Sequence, residues 1–318
     1  MRAPPILPRA LGDRVVWEVR DYECCLIPAV CGNKARKFFA LASEPEPRHL
    51  VSHGGSQSNA MLALATLAAH QQVGFSYHTK PLPGWLRRNP IGNLARALSL
   101  GMELVEHPSG ASYEAARLCL QAGLLGSYVP QGGAYPGAEA GVRMLARDIG
   151  SWHTRRGGRP CLVVLPAGTG TTALYLSRHV PAGVRVFAVP CVGDHAYLQL
   201  QMNQLDIQSG GDGNPAVEML CSKQAKVNFG SPSAELLQTW REAAGCGVLL
   251  DLLYGVVAWS VMQERLLTDA AAEHADIVYV NCGGHEGSMS QLARYRRAGL
   301  LSEEPSAVLA EVHRAAAL

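Results

Sequence analysis

Short apolar runs alternate along the chain with longer segments in which apolar residues recur at helical spacing. The longer segments include residues 59–70 and 138–149, and the alternation is typical of an α/β protein with mainly parallel, twisted sheets flanked by helices. A polar, glycine-rich stretch at 154–159 separates a predicted helix from a predicted strand, so we expect a boundary between two lobes there. The apolar runs that predict strands are 49–52, 74–78, 103–106, 161–165, 184–189 and 277–280.

Composition and charge narrow the class of protein. The chain has 318 residues, 48% of them hydrophobic and 17% charged, which is enough for one large domain or two lobes with cores. The 28 basic and 26 acidic residues are spread evenly and leave a net charge of +2. We therefore expect no nucleic-acid partner and no membrane-surface role. The apolar runs are far shorter than the ~18–20 residues that cross a membrane, and the proline-containing N-terminal segment has no continuous apolar stretch, so we expect a cytoplasmic protein.

The cysteines and histidines predict neither a disulfide framework nor a metal site. The nine cysteines are odd in number and include no C-x-x-C pair, so we expect them to be reduced and mostly buried as small apolar side chains. The eleven histidines are scattered without the spacing of a helical metal site, and we expect no bound metal.

The first segment that could take part in catalysis or binding is G-N-K-A-R-K at 32–37. It places three cations in four residues before an apolar helix. Such a group is commonly a solvated helix start. A lysine that forms a Schiff base must instead lose its proton, and a partly buried site beside other cations promotes that loss. Lys34 is the candidate, and Arg36 and Lys37 would supply the field or bind an anion.

Two further segments each follow a predicted strand and open a predicted helix. The first is G-G-S-Q-S-N at 54–59, and the second is G-T-G-T-T at 168–172. Glycines allow a sharp turn, and free N–H groups at a helix start attract a carboxylate or a phosphate. The simpler interpretation is a capped helix, with Ser58 or Asn59 as the capping residue in the first segment. The second segment also fits a loose dinucleotide motif, but the first acid after the next strand is Asp194, in a loop, so we do not favour that interpretation.

In order and spacing, these segments resemble the 1-aminocyclopropane-1-carboxylate (ACC) deaminase and D-cysteine desulfhydrase family. These are fold type II enzymes of the tryptophan synthase β-like class that use pyridoxal 5′-phosphate (PLP). The resemblance covers most of the chain and includes weaker matches at G-N-L (92–94), P-Q-G-G (130–133), D-L-L-Y (251–254) and N-C-G-G (281–284). It implies two α/β lobes, a small one at 38–155 and a large PLP-binding one at 1–37 and 156–318, in a homodimer.

The resemblance also implies roles for matching residues. Lys34 would carry the cofactor as a Schiff base and move the substrate α-proton, with Ser58 as a second catalytic group that contacts the substrate carboxylate. Asn59 would contact both the phenolic oxygen of PLP and the substrate, and Tyr254 would lie over the substrate and exchange a proton. The residues expected to hold the phosphate are Thr169, Gly170, Thr171 and Thr172, with Lys37.

Four positions depart from the family pattern. Ala60 stands where glutamine or histidine is usual, and Phe229, expected beside the substrate, stands where the family has a second tyrosine. Gly255 follows Tyr254 in place of a residue that could contact the pyridine nitrogen, and Cys282, expected beside the cofactor, replaces a threonine that could do so. A thiol is a weak hydrogen-bond donor. ACC ring opening is therefore not expected, because it would need a second acid–base hydroxyl.

The expected function is that of a PLP-dependent lyase on a small amino acid, by α,β-elimination or deamination, in a divergent relative of the family. A β-replacement synthase or transferase would share every motif up to the aminoacrylate, and racemisation would need only modest carbanion stabilisation. A non-catalytic PLP-binding protein is the alternative from a different class, because fold alone does not fix function.

Overall fold

The structure is a computed structural model that describes residues 1–44, 48–121, 127–224 and 228–317. Its strands form a six-stranded sheet, a four-stranded sheet and a two-stranded hairpin. The strands are β1 (Ile6–Leu11), β2 (Arg14–Val19), β3 (Cys25–Ile27), β4 (Val30–Cys31), β5 (Leu50–His53), β6 (Phe75–Thr79), β7 (Glu103–Glu106), β8 (Ser127–Val129), β9 (Cys161–Ala167), β10 (Val184–Pro190), β11 (Val217–Met219) and β12 (Asp276–Val280).

Helices connect these strands and cover the faces of both larger sheets. Short 3₁₀ turns occur at Asp21–Glu23, Gln131–Gly133, Ala270–Ala272 and His285–Gly287, and a π-helical turn at Gln263–Leu267. The α-helices are α1 (Gly32–Lys37), α2 (Phe39–Ala42), α3 (Asn59–Gln71), α4 (Gly84–Arg88), α5 (Gly92–Ser99), α6 (Gly110–Gln121), α7 (Ala138–Arg155), α8 (Thr171–His179), α9 (His195–Gln208), α10 (Ala234–Gly245), α11 (Gly255–Met262), α12 (Ser288–Arg297) and α13 (Pro305–Ala317).

The six-stranded sheet has the order β1-β2-β12-β9-β10-β11. Only the β1–β2 pair is antiparallel, and each of the other neighbours runs parallel. β9 and β12 are buried along their whole length, because helices cover both faces of a parallel sheet and leave no side of a central strand in water. Their continuous apolar runs are for this reason the segments of the sequence that predict strands most clearly.

The four-stranded sheet has the order β7-β6-β5-β8 and is entirely parallel. It is built from residues 50–129, whereas the six-stranded sheet is built from residues 6–19 and 161–280. The expected fold class, with mainly parallel sheets flanked by helices, is therefore confirmed.

Helix α7 bears on where the small lobe ends. Its buried residues, among them Val142 and Leu145, belong to the same apolar cluster as Cys161 and Val163 of β9. The helix thus packs on the six-stranded sheet and continues to Arg155, into the stretch expected to be a linker. We propose that the small lobe ends before α7 rather than after it.

The six predicted strands are present, with bounds that differ by at most two residues at either end. The β1–β2 and β3–β4 hairpins and the three-residue strands β8 and β11 were not predicted. β8 and β11 lie at the edges of their sheets, and runs this short carry too little periodicity to be read.

The expectation for the cysteines is wrong in one respect. Cys25 and Cys31 form a disulfide, because the β3–β4 hairpin places the two residues directly opposite each other. Within the described residues, no cluster of three or more histidine, cysteine or acidic side chains is arranged to hold a metal ion. No helix in the same part of the chain has both the length and the apolar character needed to cross a membrane.

Candidate active site

Two of the three segments singled out in the sequence, and the N-C-G-G match at 281–284, begin at the carboxyl ends of strands. The loop with Cys282 follows β12 and the threonine loop follows β9, and these two strands are parallel neighbours in the six-stranded sheet. The carboxyl ends of adjacent parallel strands lie at one edge, where α/β proteins bind their ligands. The third segment follows β5 of the other sheet, and its Asn59 reaches the Gly284 loop beyond Cys282.

Helix α1 carries Lys34 and is fixed to the loop that follows β12. The Asn33 backbone N–H donates to the Cys282 carbonyl at 3.1 Å. Gly32, with φ of 64°, lies so close that a Cβ at this position would overlap the same carbonyl, so only glycine fits here. The start of α1 therefore packs against the loop that follows β12, and Lys34 lies beside Cys282.

The environment of Lys34 favours a neutral amine. Burial lowers the pKa of Lys34 below its usual range, while charges on Cys282 and Asp251 would oppose this effect. Burial also raises the pKa of the Cys282 thiol, so at neutral pH Cys282 is uncharged and its opposing influence is not exerted. The amine donates to the Asn33 side-chain oxygen at 3.3 Å.

Lys37 connects α1 to the threonine loop. Its side chain is buried and its ammonium donates to the Gly132 carbonyl at 3.0 Å. Gly132 in turn lies against Thr169, whose Cγ2 would be 2.9 Å from a Cβ at position 132. Burial, followed by the nearby charge of Lys34, holds the pKa of Lys37 well below its ordinary value. An anion beside Lys37 would relieve both effects, because an opposite charge favours the ammonium form.

The threonine loop has the geometry of an anion site. Gly170 adopts a left-handed φ of 70° immediately before α8, which turns the loop into the helix N-terminus. The Thr169 and Thr171 hydroxyls lie 2.8 Å apart. The Thr172 hydroxyl oxygen is buried and has no hydrogen-bond partner within the described residues. A buried hydroxyl without a partner costs free energy, so this group is suited to a ligand oxygen.

Asn59 and Ser58 have different roles from each other. The Ser58 hydroxyl accepts from the Ala60 and Met61 backbone N–H groups at 3.2 and 3.3 Å and caps α3, so its position is explained by helix capping. The Asn59 side-chain oxygen accepts from the Asn93 amide at 2.7 Å. This bond turns the Asn59 amide nitrogen toward Gly284, in the loop that contains Cys282.

Tyr254 lies over the start of the threonine loop. A Cβ on Gly168 would be 3.2 Å from the Tyr254 ring, and the Phe229 ring lies at 5.0 Å on the other side, centroid to centroid. Burial raises the pKa of Tyr254, so the phenol keeps its proton at neutral pH. Asp251 accepts from the Leu253, Tyr254 and Gly255 backbone N–H groups at 2.7–2.9 Å and holds this turn in place.

Two of the positions that depart from the family pattern have a structural explanation. A Cβ at Gly255 would be 2.8 Å from an Asp251 carboxylate oxygen and 3.5 Å from the Tyr279 hydroxyl. A larger residue at 255 therefore has no room unless this cluster moves. Ala60 is buried in the apolar core of the small lobe, where its methyl group packs rather than reaching the site.

The structure brings Lys34, Lys37, Asn59, Tyr254 and Cys282 together with the threonine loop, and it places Phe229 against Tyr254. Sequence reasoning did not assign roles to Asn93, Asp251 or Gly132, which orient Asn59, Tyr254 and Lys37. A signal existed for Asp251, which lies four residues before the start of α11, because an aspartate ahead of a helix commonly accepts the N–H groups that follow it. Nothing local indicates that Asn93 meets Asn59, 34 positions away in the chain.

Comparison with known proteins identifies the fold. No family model matches the chain, and no curated protein is significantly similar to it in sequence. A structure described as an ACC deaminase homologue matches with a TM-score of 0.68 and 18% identity over 95% of this chain and 94% of its own. A fungal L-serine ammonia-lyase from Rhizomucor miehei matches with a TM-score of 0.60 and 17% identity, covering 93% of this chain and 98% of its own. A PLP-dependent aspartate racemase matches with a TM-score of 0.56 and 14% identity over 88% and 90%.

The first two of these structures are fold type II PLP enzymes, and this chain has their fold, as the sequence resemblance implied. The match extends over nearly the whole of each chain. The shared fold therefore includes both larger sheets.

Proposed function

We propose that this protein is a PLP-dependent lyase that removes a leaving group or ammonia from an amino acid. The observation that carries the proposal is that Lys34, a partly buried lysine of lowered pKa, shares helix α1 with Lys37, which reaches the threonine loop through Gly132. The Thr172 hydroxyl of that loop has no partner in the described structure. A Schiff-base lysine and a phosphate anchor are the two groups that a protein must supply for this cofactor.

The residues present fit PLP. The threonine loop and the α8 N-terminus would hold the phosphate, with Lys37 as the counter-charge. The Asn59 amide would contact the phenolic oxygen, since Asn93 already turns it toward the Gly284 loop. Cys282 would lie beside the ring as a neutral thiol, because burial raises the pKa of this group. A neutral, weak donor leaves the pyridine nitrogen with modest support.

Bound PLP supplies an electron sink for the pair of electrons left when the substrate α-proton is removed. Lys34 would act as the base, since burial lowers the pKa of its ammonium and so favours the free amine that accepts a proton. The backbone N–H groups of the Ser58 loop would orient the substrate carboxylate. The Ser58 hydroxyl caps α3 and so holds this loop in place. Tyr254 keeps its proton and is the candidate to donate it to the leaving group.

Elimination is favoured over the other reactions by the single acid–base hydroxyl and by the names of the similar structures, which include an ACC deaminase homologue and a serine ammonia-lyase. A racemase among them keeps racemisation as a second candidate. A β-replacement reaction would differ only in needing an added nucleophile, and a non-catalytic PLP-binding protein would bind the cofactor without responding to any amino acid.

The visible absorption spectrum of the purified protein tests the proposal. Wild type loaded with PLP is expected to show a visible band, and Lys34→Ala is expected to lose or shift it. Lys223→Ala, which changes an exposed lysine next to Glu264 on the surface, is the matched control. A wild-type protein that cannot be loaded with PLP would contradict the proposal.

Product analysis then separates the reactions. Release of a keto acid and ammonia without an added nucleophile indicates elimination, whereas a requirement for a nucleophile indicates β-replacement. Exchange of the α-proton with change of configuration and no other product indicates racemisation. A loaded protein that responds to no amino acid would be a binding protein.

A further inference from the structure

A large cleft adjoins the candidate active site, and most of its lining has no role in the mechanism above. It has a volume of about 1120 Å³, and its lining includes the Gly54–Gly55–Ser56 segment and Thr169. The cleft therefore opens directly onto the substrate loop and the anion loop. Its volume slightly exceeds the roughly 300–1000 Å³ of sites that hold drug-sized ligands, so it has room for much more than a small side chain.

One wall of the cleft is a rigid network of neutral polar groups. His53 contacts the Tyr113 hydroxyl through Nδ1 at 2.8 Å and the Tyr128 hydroxyl through Nε2 at 2.9 Å. Burial lowers the pKa of His53 to about 4, so the ring is neutral near pH 7 and carries one N–H. It can donate to one tyrosine only and must accept from the other. The network thus fixes two hydroxyls at the cleft without adding charge.

The charged side chains of the cleft leave one cation without a partner. The charged residues that line it are Lys80, Arg117 and Glu114. Arg117 and Glu114 form an ion pair of 2.6 Å and neutralise each other. Lys80 makes no ion pair within the part of the chain that the structure describes, and its ammonium lies 5.7 Å from the centre of the Tyr113 ring. The wall therefore carries one excess positive charge.

Another part of the cleft lining is rich in amides. It belongs to helix α9 and includes Gln201, Gln204 and Gln208. The Gln201 amide nitrogen donates to the Tyr197 hydroxyl at 3.1 Å, while its buried oxygen has no partner within the described residues. Amides and hydroxyls can donate to and accept from a polar side chain, but they do not select its charge. The charge preference of the cleft therefore rests on Lys80.

We propose that this cleft is a subsite for the side chain of the substrate, and that the substrate is an amino acid whose extended side chain ends in a carboxylate. The proposal rests on the proposed function, because it assumes that the α-carboxylate is held by the Ser58 loop. A single unpaired ammonium among neutral donors matches a singly charged carboxylate. The large volume matches a chain of several bonds between the two acidic groups.

A pair of amino acids that differ only in the distal group tests the subsite. The pair is 2-aminoadipate and norleucine, in both configurations, added to PLP-loaded protein while binding is followed by calorimetry and by the visible spectrum. Wild type is expected to bind 2-aminoadipate more tightly than norleucine, and the preference is expected to weaken at high salt because the pair is near the surface.

Variants that remove or add positive charge at the cleft test whether charge decides which ligand binds. Lys80→Met is expected to weaken 2-aminoadipate binding about three- to fivefold, the range of an exposed ion pair, and to leave norleucine unchanged. Lys80→Arg is expected to retain the preference. Glu114→Gln, which frees the Arg117 cation, is expected to strengthen 2-aminoadipate binding. Lys223→Met is the control for removal of a remote surface lysine.

Three results decide the proposal. Loaded wild type that binds both amino acids equally would overturn the subsite while leaving the proposed function intact. Lys80→Met that weakens both ligands alike would also overturn it, because a loss of shape rather than of charge would be responsible. A wild type that cannot be loaded with PLP would contradict the proposed function, and the subsite would fall with it.

Discussion

At the scale of single residues, the site is built from buried polar groups that have few or no protein partners. The Thr172 hydroxyl has no partner in the described structure, and the buried Lys37 ammonium donates to a backbone carbonyl, that of Gly132. Both groups lose hydration on folding without full compensation. Binding of an anion supplies the missing interactions, so these residues contribute to affinity for a ligand more than to stability.

Thr172→Val tests this division between affinity and stability. The change replaces a hydroxyl without a described partner by a methyl group of similar size, so we expect the free energy of unfolding to change by less than about 1 kcal/mol. Affinity for PLP is expected to fall about tenfold or more, since a hydrogen bond to a charged group is lost. Urea unfolding and cofactor titration measure the two quantities.

Thr66→Val is the matched control, because the Thr66 hydroxyl donates to the Leu62 carbonyl within α3 at 2.8 Å. It is expected to leave cofactor affinity unchanged. A Thr172→Val protein that is strongly destabilised yet binds PLP as wild type does would contradict the assignment of the anion site.

His53 predicts a pH dependence of stability. Burial, with Arg117 and His78 nearby, lowers the pKa of His53 to about 4 in the folded protein, whereas Glu114 acts in the opposite direction. The unfolded chain has a pKa of roughly 6.5 and binds more protons between these values, so stability is lost as the pH falls. From pH 7 to pH 5 the contribution of His53 is expected to be about 2 kcal/mol.

Urea unfolding of wild type and His53→Gln at the two pH values checks this prediction. The variant is expected to show a smaller loss of stability at pH 5, because its amide does not titrate. His70→Gln, at an exposed position near the end of α3, controls for the removal of a histidine. Equal pH dependence of wild type and His53→Gln would show that His53 is not buried as a neutral ring.

At the scale of elements, α1 has little stability of its own, because a helix of six residues is too short to form alone in water. Tertiary contacts hold it in place. The buried Arg36 guanidinium pairs with Asp21 at 2.9 Å. Helix α7 packs against α1 so closely that a Cβ on Gly141 would overlap the Arg36 carbonyl. The position of Lys34 therefore depends on how α7 packs.

Gly141→Ala is expected to push α7 away from α1. Overpacking of this kind typically costs about 1–3 kcal/mol of unfolding free energy, and affinity for PLP is expected to fall with it because Lys34 moves. Urea unfolding and cofactor titration report the two effects. Gly245→Ala changes another helical glycine, in α10, whose Cβ would meet nothing within 4 Å, and it is expected to be neutral or stabilising by about 0.4–1 kcal/mol. Gly141→Ala that behaves like Gly245→Ala would contradict the close packing.

At the scale of the whole molecule, the site draws on both sheets. Lys34, the threonine loop and Tyr254 belong with the six-stranded sheet, and Asn59 begins the helix after β5 of the four-stranded sheet. A ligand that contacts both groups links the stability of the two lobes. The same arrangement allows the cleft between them to hold a substrate and exclude water from the reacting carbon.

Cofactor binding is accordingly expected to stabilise the whole chain. PLP at 100 times its Kd should raise the free energy of unfolding by about 2.7 kcal/mol in a single transition. Pyridoxal, which lacks the phosphate, should give a much smaller shift. Urea unfolding followed by circular dichroism and by tryptophan fluorescence measures it. Two transitions, of which PLP shifts only one, would show that the cofactor contacts a single lobe.

The sequence by itself determined what depends on local order in the chain. Buried parallel strands such as β9 and β12 are continuous apolar runs, so they and the α/β class were predicted. Gly170 and the threonines around it are contiguous, and their anion-binding geometry follows from a strand, a tight turn and a helix start. Lys34, Asn59 and Tyr254 were predicted as site residues because each lies in a short motif with recognisable spacing.

The tertiary structure alone decided what depends on contacts between distant segments. The lowered pKa of Lys34 requires burial in the folded chain, and the orientation of Asn59 requires Asn93. The lining of the large cleft combines His53, Tyr113 and Tyr128 with residues of α9. Burial, close packing and the pairing of charges depend on which residues are neighbours in space. Hydrophobic periodicity predicts local elements but does not specify which distant residues come into contact.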